Sequence, residues 1–104
     1  MHALLITFQS AASVDDLKGP FREYAEALCS VPGLVAKTWI GDGETLGGFH
    51  IFESRAEAET YLGSEMVAGL TSNPAFSDFS IDHFEVLDEL SRITGTPQQV
   101  LAAV

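Results

Sequence analysis

The apolar positions of this 104-residue chain change between strand-like runs and helical spacing. His2 to Gln9 is a short, mostly apolar run, which predicts a largely buried strand. Ser13 is a candidate helix cap. Apolar residues then recur at helical spacing at Val14, Leu17, Phe21, Tyr24, Ala25 and Leu28. Proline is costly inside a helix and favoured at its first position, so we expect the main helix to run from Pro20 to about Ser30.

The next segment predicts a β-hairpin. Val31-Pro32-Gly33 is a turn that ends the helix, and Leu34 to Ile40 has the pattern of a strand. Asp42-Gly43 is a strong signal for a two-residue hairpin turn, so a return strand is expected over Thr45 to Phe52. Gly47-Gly48 lies inside that strand, where glycines mark either a β-bulge or a close backbone approach that leaves room for a ligand. Of these two causes we expect a bulge.

The last third of the chain predicts helix and then strand. A capping box at Ser54 begins a helix that ends at Leu62. A second helical piece can start from Ser64, and the fourth strand lies within Phe76 to Val86.

The resulting order, β-α-β-β-α-β, predicts a ferredoxin-like α+β fold with a four-stranded antiparallel sheet. Each βαβ crossover is right-handed, so both helices lie on one face of the sheet. If the other face is apolar, a sheet-on-sheet homodimer is the simplest way to cover it. We expect one domain over residues 1–94 and a C-terminal tail over residues 95–104, where Thr96 to Leu101 either forms a short helix or frays.

Charge narrows the range of partners. Five Lys and Arg residues stand against 15 Asp and Glu residues, which gives a formal net charge of −10. Such a field repels phosphate backbones and anionic membrane surfaces, so neither nucleic acid nor a membrane is an expected partner. The same field disfavours anions at long range, so a neutral or weakly ionised small molecule is the better substrate.

Cysteine usage and hydropathy indicate a cytoplasmic location. The single cysteine, Cys29, excludes an intramolecular disulfide and is typical of a reducing compartment. Its apolar helical context predicts inert packing rather than a nucleophilic role. The sequence shows neither a signal-peptide pattern nor an apolar run of about 18 residues.

Several local patterns together span nearly all of residues 1–94. They are Pro32-Gly33-Leu34 with Lys37 and Trp39, then Gly47 to Phe52, Ala56 to Leu62, Phe84-Glu85-Val86 and Leu90-Ser91. This set resembles the YdhR-type monooxygenase family, which implies a dimeric α+β barrel in which two ferredoxin-like sheets pair face to face. The wider superfamily of antibiotic biosynthesis monooxygenases includes enzymes that oxidise polycyclic phenols and anthrones with O2 and no cofactor. This chain departs from the family pattern at His50, where a Tyr is typical, and at His83, where an aliphatic residue is typical.

Two histidines are the candidates for proton transfer near neutral pH. Strand alternation puts His50 on one sheet face with Gly48 and Phe52, and we take it as the first candidate for a catalytic base. His83 is the second candidate, with Glu85 on the same face to orient it. The alternative for His50 is a hydrogen-bonded core or interface residue, and for His83 an exposed surface position.

An aromatic set is predicted to line an apolar pocket between sheet and helices. Its members are Trp39, Tyr24, Tyr61, Phe8 and Phe52. Trp39 shares a strand face with Lys37 and offers a flat wall with an N–H donor. For Trp39, Tyr24 and Tyr61 the alternative is ordinary core packing. We find no dinucleotide fingerprint, phosphate loop or metal-ligand motif, so we expect no cofactor and no bound metal.

These features, together with the resemblance, predict a cofactor-independent monooxygenase that acts on an aromatic or polyketide-like molecule with O2. Two alternatives stay open: a non-catalytic small-molecule-binding dimer, and an isomerase or cyclase on the same scaffold. Haem chemistry on this fold normally needs an axial ligand such as a helical histidine, and no histidine falls on a predicted helix.

Overall fold

A computed structural model describes residues 1–95 of the chain, so the segment Thr96 to Leu101, for which a short helix was one prediction, lies outside the described residues. The elements follow in the order β1 His2–Ser10, α1 Val14–Leu28, β2 Leu34–Asp42, β3 Thr45–Phe52, α2 Arg55–Leu62, α3 Glu65–Thr71, β4 Phe76–Glu85 and α4 Asp88–Ile93. None of the helices in residues 1–95 is long and apolar enough to cross a membrane.

The strands form one antiparallel sheet in the order β2-β3-β1-β4, which confirms the ferredoxin-like α+β prediction. Leu4, Ile6 and Phe8 of β1 are buried under the helices. Leu5 and Thr7, which alternate with them, point to the opposite side of the sheet. We call these two sides the helix face and the open face.

Helix α1 begins at Val14, six residues and nearly two turns earlier than predicted. Ser13 caps it, with its hydroxyl oxygen accepting a hydrogen bond of 3.2 Å from the backbone N–H of Asp16, and Pro20 lies inside the helix rather than at its start. The reason is packing, because Leu17 in the first turns is buried with Phe8 in one of the two core clusters. That burial offsets the backbone hydrogen bond which the proline cannot make.

The hairpin turn lies one residue beyond the predicted position. β2 extends through Asp42, and the two loop residues are Gly43 and Glu44. Gly43 has a φ of +64°, a value that glycine adopts freely at the first position of a two-residue turn. In the resulting register Lys37 stands opposite His50.

The predicted bulge at Gly47-Gly48 is wrong. The pairing of β3 with both neighbours runs without a break through these glycines. The irregularities lie elsewhere, between Thr7 and Gln9 against β4 and between Leu34 and Ala36 against β3. The alternative cause, a close backbone approach, is what the structure has: a Cβ on Gly47 would overlap the carbonyl group of Ile6.

The open face of the sheet is partly covered by α4, a helix that the sequence patterns did not predict. A groove of about 360 Å³ separates Leu87 and Leu90 from Phe49, Ile51 and Phe84 on the sheet. At the end of α1, Cys29 is exposed, so its predicted packing role is wrong.

The close approach at Gly47 makes a prediction about stability. Gly47→Ala should lower the free energy of unfolding by roughly 1–3 kcal/mol, the usual cost of overpacking, because the new methyl group pushes β1 away from β3. Gly69→Ala is the matched control, since nothing lies within 4 Å of a Cβ at this position in α3. Helix propensity predicts a gain of about 0.5–1 kcal/mol there. Urea unfolding measures both, and a Gly47→Ala protein as stable as the wild type would contradict the close approach.

Candidate functional site

A cavity of about 400 Å³ lies between the helix face of the sheet and the helices. Ile6 and Phe8 of β1 form its floor together with β3, and Phe21 of α1 contributes to the opposite wall. Trp39 lies at its edge and is 39% exposed. A cavity of this size with mostly apolar walls and few polar groups is typical of small-molecule sites.

His50 is the most deeply buried polar side chain of the cavity, with 1% of its surface exposed. Within residues 1–95, neither ring nitrogen has a hydrogen-bond partner of acceptable geometry. Burial, and secondarily the charge of Lys37, lowers the pKa of His50 to about 4, although the nearby carbonyls of Leu4 and Gly48 oppose this shift. The ring is therefore neutral at pH 7, with an unshared acceptor nitrogen. Buried polar atoms without partners are rare in proteins and call for an explanation.

Lys37 lies next to His50 and over the aromatic side chains. Its Nζ is 3.6 Å from the centroid of the Trp39 ring and 5.2 Å from that of Tyr24. Burial lowers the pKa of Lys37 to about 8. Gly48 makes room for it, because a Cβ there would lie 2.5 Å from Lys37 Cε and 3.1 Å from His50 Cε1.

Two tyrosine hydroxyls from different helices meet at the cavity wall. The hydroxyl oxygens of Tyr24 in α1 and Tyr61 in α2 are 2.7 Å apart. Burial raises the pKa of both phenols, so both stay protonated at neutral pH. One hydroxyl donates to the other, which leaves the second proton available for a ligand oxygen. The ring centroids of Tyr61 and His50 are 5.6 Å apart.

The structure brings together most of the residues that the sequence singled out. Five of them line one cavity: His50, Trp39, Tyr24, Tyr61 and Phe8. Phe52 does not line it, because its ring is fully buried in the core, nearly parallel to the imidazole of His50 at 6.3 Å. Phe52 packs against the side chain of His50 and does not face the cavity.

His83 lies outside this cavity. It is on the edge strand β4, where its Nδ1 is 2.8 Å from Nε2 of His2, and the orienting contact expected from Glu85 is absent from the hydrogen bonds of residues 1–95. The two histidines border a different, more polar surface depression of about 340 Å³. The structure therefore separates the second candidate base from the aromatic set.

Lys37 is the residue whose role sequence reasoning missed. The pattern showed that it shares a strand face with Trp39, which was a usable signal: a single lysine in a mostly apolar strand. Its contact with the cavity depends on the hairpin register that pairs it with His50. Within residues 1–95, no three His, Cys, Asp or Glu side chains lie close enough together to hold a metal ion.

The fold and the cavity define a ferredoxin-like α+β protein with a mostly apolar site that contains a buried histidine and a half-buried lysine. The chain belongs to the family described as "Putative mono-oxygenase ydhR", whose sequence model matches residues 3–97. This confirms the resemblance. No curated protein sequence matches the chain.

Three solved structures share the fold. SnoaB, a cofactor-independent oxygenase from Streptomyces nogalater, is 13% identical with a TM-score of 0.67, and the match covers 82% of this chain and 91% of SnoaB. A protein of unknown function from Nitrosomonas europaea, NE2512, is 23% identical with a TM-score of 0.63 over 83% and 88% of the two chains. A variant of MhuD, with two manganese protoporphyrin IX molecules bound per active site, is 18% identical with a TM-score of 0.65 over 84% and 95%.

Burial of a neutral histidine links stability to pH. The imidazole of His50 accepts a proton near pH 6.5 when unfolded and near pH 4 when folded, so the unfolded state binds more protons between these values. The free energy of unfolding should therefore fall as the pH drops from 7 to 4, by about 3 kcal/mol from this group. His50→Leu should remove that part of the loss. Urea unfolding of both proteins at each pH measures the difference, and parallel curves would contradict a neutral, buried His50.

Proposed function

We propose that this chain is a cofactor-independent monooxygenase that oxidises an electron-rich aromatic or polyketide-like molecule with O2, and that His50 is its catalytic base. The observation that carries the proposal is a neutral imidazole with an unshared nitrogen in the wall of an apolar cavity. Membership of a family described as monooxygenases supports the reaction class, and the fold of SnoaB is a further, weaker support because only the fold is shared.

The proposed reaction uses O2 as its only co-substrate. His50 accepts a proton from the substrate, and the resulting anion gives one electron to O2. The substrate radical and superoxide combine to form a C–O bond, and a proton completes a hydroperoxide. When the attacked carbon is a CH2 group, loss of water leaves a carbonyl. The substrate thus supplies all four electrons that reduce O2; one oxygen atom enters the product and the other leaves as water.

The other side chains of the cavity have supporting roles in this proposal. The Trp39 and Phe8 rings give flat surfaces against which an aromatic substrate packs. The Tyr24–Tyr61 pair has one free proton to donate to a substrate oxygen. The apolar walls exclude water, which keeps the reactive anion from being protonated before it meets O2.

We further propose that the protein is a homodimer joined through the open face of the sheet. Three large apolar side chains of that face are exposed in the single chain, Ile40 at 41%, Phe49 at 39% and Phe84 at 53%. Leu87 and Leu90 beside α4 extend the same surface and are more than 60% exposed. An apolar surface of this extent on a small domain is typical of a subunit interface.

Phe49→Glu should disrupt the proposed dimer, because it places a charge in the centre of the apolar face. Light scattering of the wild type should give about twice 11.2 kDa, and the variant should approach the monomer mass. Ile81→Glu is the matched control: Ile81 is 40% exposed but lies on the helix face of β4. A monomeric wild type, or equal effects of the two variants, would contradict an interface on the open face.

His50→Leu should slow O2 consumption with an anthrone by about 10²-fold or more, the usual scale for loss of a general base. The variant should stay folded, because leucine fills a similar apolar space, and circular dichroism checks this. His83→Gln tests the second candidate base, which lies outside the cavity, so a smaller effect is expected. A loss of activity confined to His83→Gln would transfer the role to that residue. If none of the electron-rich arenes tested makes the wild type consume O2, the monooxygenase proposal fails and a binding function replaces it.

A further inference from the structure

Lys37 is a half-buried cation that has aromatic neighbours instead of a counterion. Three of the five Lys and Arg residues of the chain form ion pairs with carboxylates one helical turn away: Lys18 with Asp15, Arg22 with Glu26 and Arg55 with Glu59. Lys37 is not among them, and within residues 1–95 no carboxylate oxygen lies within 4.0 Å of its Nζ.

The aromatic contacts compensate only part of the cost of burying this charge. The ammonium lies 3.6 Å from the centroid of the Trp39 ring, and a cation–π contact of this kind is weaker than a hydrogen-bonded ion pair in a dry site. An anionic oxygen in the cavity would supply the missing partner. Within residues 1–95 no other lysine or arginine lines the cavity, and its one carboxylate, Asp42, does not pair with Lys37. We propose that Lys37 binds the negatively charged oxygen of the substrate, so that the substrate class is an acidic hydroxyarene or enol; this inference rests on the function proposed above.

The chemistry of the proposed reaction also needs such a group. A phenol has a pKa of about 10, whereas the pKa of His50 is about 4, so proton transfer to this histidine alone is strongly unfavourable. A cation beside the departing proton stabilises the oxyanion and lowers the pKa of the bound phenol. The oxyanion in turn raises the pKa of His50. Together Lys37 and His50 can do what the histidine cannot do alone.

The position of Lys37 suits this role. It stands opposite His50 in the hairpin register, and both side chains lie on the helix face that lines the cavity. The gap left by Gly48 lets the amine lie close to the imidazole, since a Cβ there would be 3.4 Å from Nζ and 3.1 Å from His50 Cε1. One substrate oxygen can therefore meet both groups.

The binding of two ligands of similar shape, one neutral and one negatively charged, tests this inference without any turnover. Isothermal titration calorimetry at pH 7 compares 2-naphthoate with 2-naphthamide, which have the same rings and differ in charge. The wild type should bind the anion at least tenfold more tightly. Lys37→Met should abolish the preference, because it keeps the length of the side chain and removes the charge, and Lys37→Arg should retain it. Lys18→Met is the matched control, since the Lys18 side chain is 74% exposed on α1 and should leave the preference unchanged.

Three results would overturn the inference: equal binding of the two ligands by the wild type, a preference that survives Lys37→Met, or binding of neither ligand. The wild-type comparison stands even if Lys37→Met does not fold. O2 consumption, measured in parallel, separates this inference from the proposed function. A Lys37-dependent preference with no oxidised arene would refute the monooxygenase alone, whereas His50-dependent oxidation with no charge preference would refute the role of Lys37 alone.

Discussion

The register between β2 and β3 is the constraint on which the cavity depends. The two-residue loop at its end pairs Lys37 with His50 and Trp39 with Gly48. Because side chains alternate between faces with a period of two, this pairing brings the amine, the imidazole and the indole to the same side of the sheet. Gly48 then provides the space in which the lysine lies over the indole ring. A register shifted by two residues would put Lys37 opposite Gly48 and separate the lysine from His50.

The polar groups of the cavity are costly for the fold. His50 has two ring nitrogens without partners in residues 1–95, and each unsatisfied buried polar atom costs roughly 1–3 kcal/mol. Lys37 adds the cost of a half-buried charge whose neighbours are aromatic rings. Leucine or methionine at these positions would pack at least as well and leave no polar atom unpaired. Sites that lower stability in this way are typical of function rather than of structure.

Local patterns were sufficient for most of the fold and for part of the site. Alternation grouped Trp39 with Lys37 and His50 with Gly48, because a period of two is visible within a few residues. Which face of the sheet carries the cavity could not be told from that alternation. Pro20 misplaced the start of α1, since the burial of Leu17 depends on partners distant in the sequence. The same limit explains why His83 was wrongly expected near the pocket. Its sheet face could be predicted from alternation, but no local pattern shows that β4 is an edge strand outside the cavity. The close approach of β1 to Gly47 likewise depends on tertiary packing, so the sequence could not distinguish it from a bulge.

The net charge of the whole chain and the charge of Lys37 in the cavity have opposite signs. A substrate meets the first as it approaches and the second after it binds. The net charge of −10 repels anions at long range, so a hydroxyarene arrives most readily in its neutral form. Beside His50 the wall of the cavity carries the ammonium of Lys37, which favours the ionised form at short range. In the proposed reaction, ionisation therefore follows binding, in surroundings with little water to quench the anion. A weakly acidic substrate satisfies both conditions, because it approaches the acidic surface uncharged and gains the attraction of the lysine once it is ionised, whereas an arene that cannot ionise gains nothing from the lysine.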